Sequence, residues 1–158
     1  MIAEGGHRVP LIVRWGDGTS AGSPVVPGTV SSQIVGLHDL VATLVELVGE
    51  TLAPEQAVDS FSFLPVLLGH QGDSPPVRDH LILQDGRGPN FALRQGEWKL
   101  VLNRSGEARG LWRLGDSGVE HDAAEDLSKA DYDARVATMT QRFAELRAAP
   151  RTAPAALP

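Results

Sequence analysis

The sequence predicts an α+β protein as it stands, on three observations. From residue 78 to residue 114, four short β-type segments follow one another on tight Gly-, Asn- and Gln-bearing connections, the pattern of an antiparallel meander. Residues 128–148 carry apolar side chains at helical spacing, and a single long amphipathic helix needs a sheet face on which to bury its stripe. Near the start, Gly5-Gly6 leads through Pro10 into Leu11-Ile12-Val13, a short apolar run with two β-branched members. Such a run has the composition of a strand covered on both faces, an α/β-type element.

Composition bounds the function. The 158 residues are long enough for a real core, with 42% hydrophobic and 22% charged residues in the ordinary range of globular proteins. A formal charge of −6 argues against nucleic acid or an anionic membrane as partner. With no cysteine, disulfides, thiolate metal sites and a cysteine-derived nucleophile are excluded within these residues. No apolar run approaches the ~20 residues of a membrane span. The compartment is unknown from these features.

In the opening segment Glu4, His7 and Arg8 place three polar groups at the mouth of the predicted strand, beside glycines that let the backbone pass close to a neighbour. A strand end with a glycine loop and convergent polar groups is a common ligand address in α/β proteins. They are the candidate pocket residues; the other reading is a structural Glu–Arg pair that fixes the loop. Residues 16–24 read as a loop, and Pro27 and Gly28 reduce residues 25–30 to a short edge element at best. Leu37, Leu40, Val41, Leu44, Leu47 and Val48 predict a helix over 39–48, with Asp39 as N-cap and Gly49 as stop. Asp39 as a metal ligand is the weaker alternative, and one histidine, His38, makes no metal site. A short helix is predicted within residues 59–69, capped by Ser62, with Pro65 admitted in its first turn and Gly69 as its end.

Strands are predicted at residues 80–84, 91–94, 97–102 and 110–114. Trp98 and Trp112 suit either a ligand platform or packing beneath a covering helix, and packing is the commoner use. Residues 116–126 are acidic, but the spacing of Asp116, Glu120, Asp122, Glu125 and Asp126 fits no cation loop, so a solvated turn is expected. In the long helix Ser128 and Asp131 form a cap, and Tyr132, Val136, Met139, Phe143 and Leu146 form the apolar stripe. Residues 149–158, rich in Pro and Ala, are expected to be disordered.

Several of these segments together resemble the sulfatase family. Glu4 to Pro10 follow its Glu-Gly-Gly-x-Arg-x-Pro segment. Residues 39–49 look like its Asp-Leu-x-x-Thr-Leu-x-Glu-Leu-x-Gly helix, and 59–69 like its Asp-Gly-x-Ser-Leu-x-Pro-Leu-Leu-x-Gly segment, with Ser60 in place of the glycine. Residues 92–100 are similar to its Ala-x-Arg-x-Gly-x-Trp-Lys-Leu hairpin. The resemblance runs from Glu4 to about Phe143. It implies the C-terminal portion of an α/β, alkaline-phosphatase-like catalytic domain over 1–77. A small domain over 78–148 would follow, a four-stranded antiparallel meander covered by a C-terminal helix, and then the tail. The family's lysine before Glu-Gly-Gly has no counterpart in Met1-Ile2-Ala3, and its Asp-Pro-x-Glu turn is degraded, because Ser117 follows Asp116.

The same resemblance exposes a decoy. Ser74-Pro75-Pro76-Val77-Arg78 fits the bare Cys/Ser-x-Pro-x-Arg pattern of the residue that sulfatases convert to formylglycine, with Ser74 as precursor and Arg78 steadying it. Val77 stands where the family has a small residue, the pattern lies after the Glu-Gly-Gly segment instead of far before it, and Ser-Pro-Pro is turn composition. Ser74 and Arg78 are therefore read as a turn, with no convincing catalytic residue and no metal ligand in the chain. What the resemblance implies for the complete enzyme is a sulfuric ester hydrolase using formylglycine and a divalent metal, usually calcium, on a sulfate-ester small molecule or glycan. The nucleophile and metal ligands would lie in a missing N-terminal part, the chain's necessary partner, and the chain alone is expected to be inactive. Alternatives are a fragment of a related phosphoesterase or phosphonate hydrolase, and a non-catalytic docking module.

Overall fold

In the computed structural model, residues 2–17, 19, 21–72, 74–86, 88–115 and 119–154 are described. Two compact units divide the chain: Met1–Pro10 with His80–Ala149, and Leu11–Asp79 with Pro150–Pro158.

The first unit is built on short strands, with the central β-type run, residues 99–102, buried on both faces. The strands are β1 (Leu81–Gln84), β2 (Phe91–Gln95), β3 (Trp98–Leu102), β4 (Ala108–Leu114) and β5 (Glu120–Asp122). Each pairs antiparallel with the next, in the order β1-β2-β3-β4-β5. The meander is thus five-stranded, where the sequence predicts four. Glu120-His121-Asp122 has no β-type composition; it pairs because the β4 edge offers Trp112, Arg113 and Leu114 as partners. The remainder of the expected acidic turn is α3 (Ala123–Asp126), capped by Asp122, whose carboxylate accepts from the Ala124 amide. Asp116 and Ser117 lie outside the described residues.

The register separates two faces. Leu93 opposite Leu100 and Leu100 opposite Leu111 put these residues on one face with Leu102. Across that face lies α4 (Lys129–Ala148), and Met139, Phe143 and Leu146 join the four leucines in one buried cluster. The predicted stripe is right at its C-terminal end, while Tyr132 and Val136 are only partly buried. Ser128 caps α4 by accepting from the Asp131 amide, as the sequence predicts. Trp98 lies on the helix side with the Arg135 guanidinium 4.4 Å from its ring. Trp112 pairs with Lys99 on the other face, where its ring fills the space that a Cβ at Gly110 would occupy. The β2–β3 turn needs Gly96, whose φ is +58°.

The second unit carries α1 (Asp39–Leu47) and α2 (Leu64–Leu67). Gly49, at φ +77°, follows α1 as predicted. The helix is packed against expectation: its buried residues are Asp39 and Thr43, while Leu37, Val41, Leu44 and Val48 are 66%, 47%, 56% and 71% exposed. Leu11-Ile12-Val13 is not the buried strand of the sequence reading. It pairs with no strand among the described residues, and Ile12 is 87% exposed, because a ladder needs a second strand. Past α4, Thr152 and Ala153 donate to the Val58 carbonyl and Arg151 donates to that of Pro54, so these residues of the expected tail are hydrogen-bonded.

Truncating Phe143 to Ala removes the largest side chain of the α4–sheet cluster. The expected loss is about 3–5 kcal/mol of unfolding free energy, read from the urea midpoint at unchanged slope.

Candidate functional site

The candidate pocket residues stand on one turn of 3₁₀ helix, Glu4–Gly6. Its amides close locally, Gly6 to the Ala3 carbonyl and both His7 and Arg8 to the Glu4 carbonyl. Glu4 is only 4% exposed, although its side chain is charged. The compensating cation comes from the central strand, 95 residues along the chain. Lys99, on the sheet face opposite α4, is fully buried and donates to Glu4 Oε1 at 2.9 Å and to Glu120 Oε1 at 2.8 Å. His7 Nε2 lies 3.0 Å from the same Nζ and 3.0 Å from the Ile2 carbonyl oxygen. Arg94, which pairs with Lys99 across the β2–β3 ladder, places its guanidinium 4.0 Å from Glu4 Oε2. Glu4 Oε2 and Arg94 Nε are buried without a hydrogen bond.

Two carboxylates face the Lys99 ammonium, and the Arg94 guanidinium beside Glu4 balances the second negative charge. Burial is the largest influence on His7 and lowers its pKa; the Lys99 charge acts in the same direction, against the Ile2 carbonyl, Glu4 and Glu120. The structure therefore brings Glu4 and His7 together but leaves Arg8 exposed. The Glu–Arg pair considered from the sequence is replaced by a Glu4–Lys99 pair. Lys99, Glu120 and Arg94 escaped the sequence reading. A signal existed: a lysine inside the apolar run Trp98-Lys99-Leu100-Val101-Leu102 needs a buried anion if its face is covered.

The second unit has its own buried pair. Asp39 is not an N-cap. It is the first residue of α1, is fully buried, and holds Arg78 Nη1 at 3.0 and 2.8 Å through its two oxygens. Oδ2 also accepts from the Gly36 amide and Oδ1 from the Phe61 amide. With that oxygen capacity taken by N–H donors, Asp39 is a structural anion with no room for a cation. Arg78 Nη1 donates as well to His38 Nε2 at 3.0 Å, and the guanidinium lies 4.4 Å from the Phe61 ring centroid. Burial lowers the proton affinity of Arg78, and Asp39 opposes that effect. Ser74 is exposed, its amide bonded to the Gln71 carbonyl. The serine and arginine of the decoy pattern thus have separate partners.

Among the described residues, no group of three or more His, Asp or Glu side chains is placed to hold a metal ion. No helix there is long and apolar enough to cross a membrane. A shallow groove beside α4, lined by Gln95, Asp131, Arg135 and Met139 among others, does not include Glu4, His7 or Arg8.

The fold is α+β, with a buried ion cluster in each unit and an apolar segment, Leu11-Ile12-Val13, that pairs with no strand among the described residues. No family profile matches the chain. Curated relatives do. An arylsulfatase of Hemicentrotus pulcherrimus is 41% identical over 73 residues, 46% of this chain and 12% of that protein. An N-acetylgalactosamine-6-O-sulfatase of Bacteroides thetaiotaomicron is 30% identical over 126 residues, 79% of this chain and 22% of that protein. A steryl-sulfatase of Rattus norvegicus is 34% identical over 67 residues, 42% of this chain and 11% of that protein. The chain is a relative of the sulfatases, as its motifs predict, and it spans about a tenth to a fifth of the length of these proteins.

Removing the cation should matter more than removing surface charge. Lys99→Met takes the hydrogen-bonded cation from buried Glu4 and half-buried Glu120, and a loss of about 3–5 kcal/mol is expected in chemical denaturation. Asp39→Ala strands Arg78 and two amides, with a loss of the same size. Arg113→Ala breaks a solvent-exposed pair with Glu97 and should change stability by less than ~1 kcal/mol.

Proposed function

We propose that the chain is the C-terminal portion of a sulfatase, a polypeptide that in complete form hydrolyses a sulfate ester. The observation that carries this reading is the similarity to three sulfatases over a limited share of their length. The exposed surface of the second unit supports it. Leu37, Val41, Leu44 and Val48 form a helical stripe facing solvent, and Leu11-Ile12-Val13 is an extended apolar segment without a ladder. Both are what remains when neighbouring strands and helices of a larger α/β domain are absent.

Hydrolysing a sulfate ester requires an activated nucleophile, positive charge on the sulfate oxygens and an acid for the leaving oxygen. In the proposed enzyme formylglycine and a divalent metal, usually calcium, supply the first two from residues outside this chain. The residues here do not fit that metal, since Asp39 is saturated by donors and the acids of the Lys99 cluster neutralise a lysine. The chain's part is to shape the pocket. Lys99 fixes the Glu4–His7 turn, and exposed Arg8 is the cation best placed on it to meet an anionic ester. The relatives' names span aryl, steryl and amino-sugar sulfates, so the substrate class is a sulfate ester on a small molecule or glycan. The same exposed apolar surface favours a second reading, a non-catalytic module that docks on a separate chain.

The coding frame upstream of the Met1 codon tests the proposal. An open frame encoding a Cys/Ser-x-Pro-x-Arg segment and paired aspartates is expected. The polypeptide including it should cleave an aryl sulfate, and the 158 residues alone should not. A stop codon and ribosome-binding site directly before Met1 would contradict the proposal and favour docking.

A further inference from the structure

The Lys99 cluster contains a contradiction that only a proton resolves. His7 Nε2 is 3.0 Å from an obligate donor, the Lys99 ammonium, and 3.0 Å from an obligate acceptor, the Ile2 carbonyl. One nitrogen cannot accept from the first and donate to the second at once. A neutral ring protonated on Nδ1 accepts from Lys99. A ring carrying a proton on Nε2 donates to Ile2 and faces Lys99 across a repulsive contact. Glu4 Oε1, 3.5 Å away, rewards the charged ring, and Glu120 acts in the same direction. Arg94 neutralises Glu4 from β2 and weakens that reward.

We propose that His7 is a proton-operated latch between the opening turn and the sheet. Unprotonated at Nε2, it accepts from Lys99 and holds residues 4–8 down. Protonated, it turns to the Ile2 carbonyl and Glu4, and the turn loosens on β3. The direction of the switch follows from burial. Burial and Lys99 lower the His7 pKa from its ordinary 6.5, so the folded unit favours the neutral ring. Between the lowered value and 6.5 the unfolded chain binds more protons than the folded one. The contribution of His7 to stability is complete above 6.5 and is lost as pH falls through the lowered value. The latch is closed at neutral pH and opens on acidification below 6.5. It resides in this chain alone and is independent of the sulfatase reading.

Two NMR measurements on the intact chain test it. The first is the tautomer of His7 at about pH 8, from the ring ¹⁵N shifts. The latch requires Nδ1–H with bare Nε2; a proton on Nε2 at that pH overturns it. The second is the amide-exchange protection of Gly6, His7 and Arg8, corrected for intrinsic rates, between about pH 8 and about pH 5. Protection of these amides should fall about tenfold on acidification, while Leu100 and Leu111 stay constant. In His7→Gln, where the side-chain carbonyl takes the Lys99 proton at every pH, the fall should vanish. A constant protection in the wild-type chain, or an undiminished fall in His7→Gln with the sheet amides intact, overturns the latch. The tautomer measurement decides the matter if the variant does not fold.

Discussion

A lysine ammonium with no access to water sits in the middle of the five-stranded sheet, and the first unit is arranged around that constraint. An unpaired buried ion costs several kcal/mol, so Lys99 is tolerable only where anions are delivered to it. Glu120 arrives on β5, the strand paired on the β4 edge. Glu4 arrives on a 3₁₀ turn at the opposite end of the sequence. The opening segment therefore belongs to the sheet unit even though some seventy residues of another unit follow it. The apolar side of the sheet gives the free energy of folding through α4, while the polar side dictates which distant segment is held in place.

The second unit obeys the same logic with a different pair. Asp39 and Arg78 share a buried, doubly hydrogen-bonded contact, and Asp39 also gathers the Gly36 and Phe61 amides. Thr43, one turn further, receives the Phe63 amide. A helix whose inward face is polar and whose outward face is a leucine–valine stripe is held by hydrogen bonds and has its hydrophobic contacts still to make. That inversion is the feature of the fold on which the functional proposal draws, because a contiguous exposed apolar stripe marks an interaction surface.

Local signals in the sequence carry much of this. Four strands, their turns, the Ser128 cap and the Gly49 stop are written in side-chain period and turn chemistry within a few residues of each other. What escaped depends on distance along the chain. Asp39 before an apolar run reads as a cap; its role changes because Arg78 folds back from 39 residues away. Glu4 pairs with Lys99 across 95 residues, so the neighbouring Arg8 was the natural guess. Leu11-Ile12-Val13 has strand composition, but a strand exists only when another backbone accepts its hydrogen bonds. The family resemblance was legible because it rests on ordered motifs, whereas the roles of Glu4, His7 and Arg8 depend on contacts that no motif records.

The central claim is that Lys99 holds the opening turn through Glu4, and a double-mutant cycle with Glu4→Gln and Lys99→Met measures that coupling directly. Urea unfolding of the four proteins should give an interaction energy of about 2 kcal/mol, with the double variant more stable than the two single losses would sum to. Additivity within about 0.5 kcal/mol would contradict the account, showing that the turn and the buried lysine are neighbours without energetic dependence.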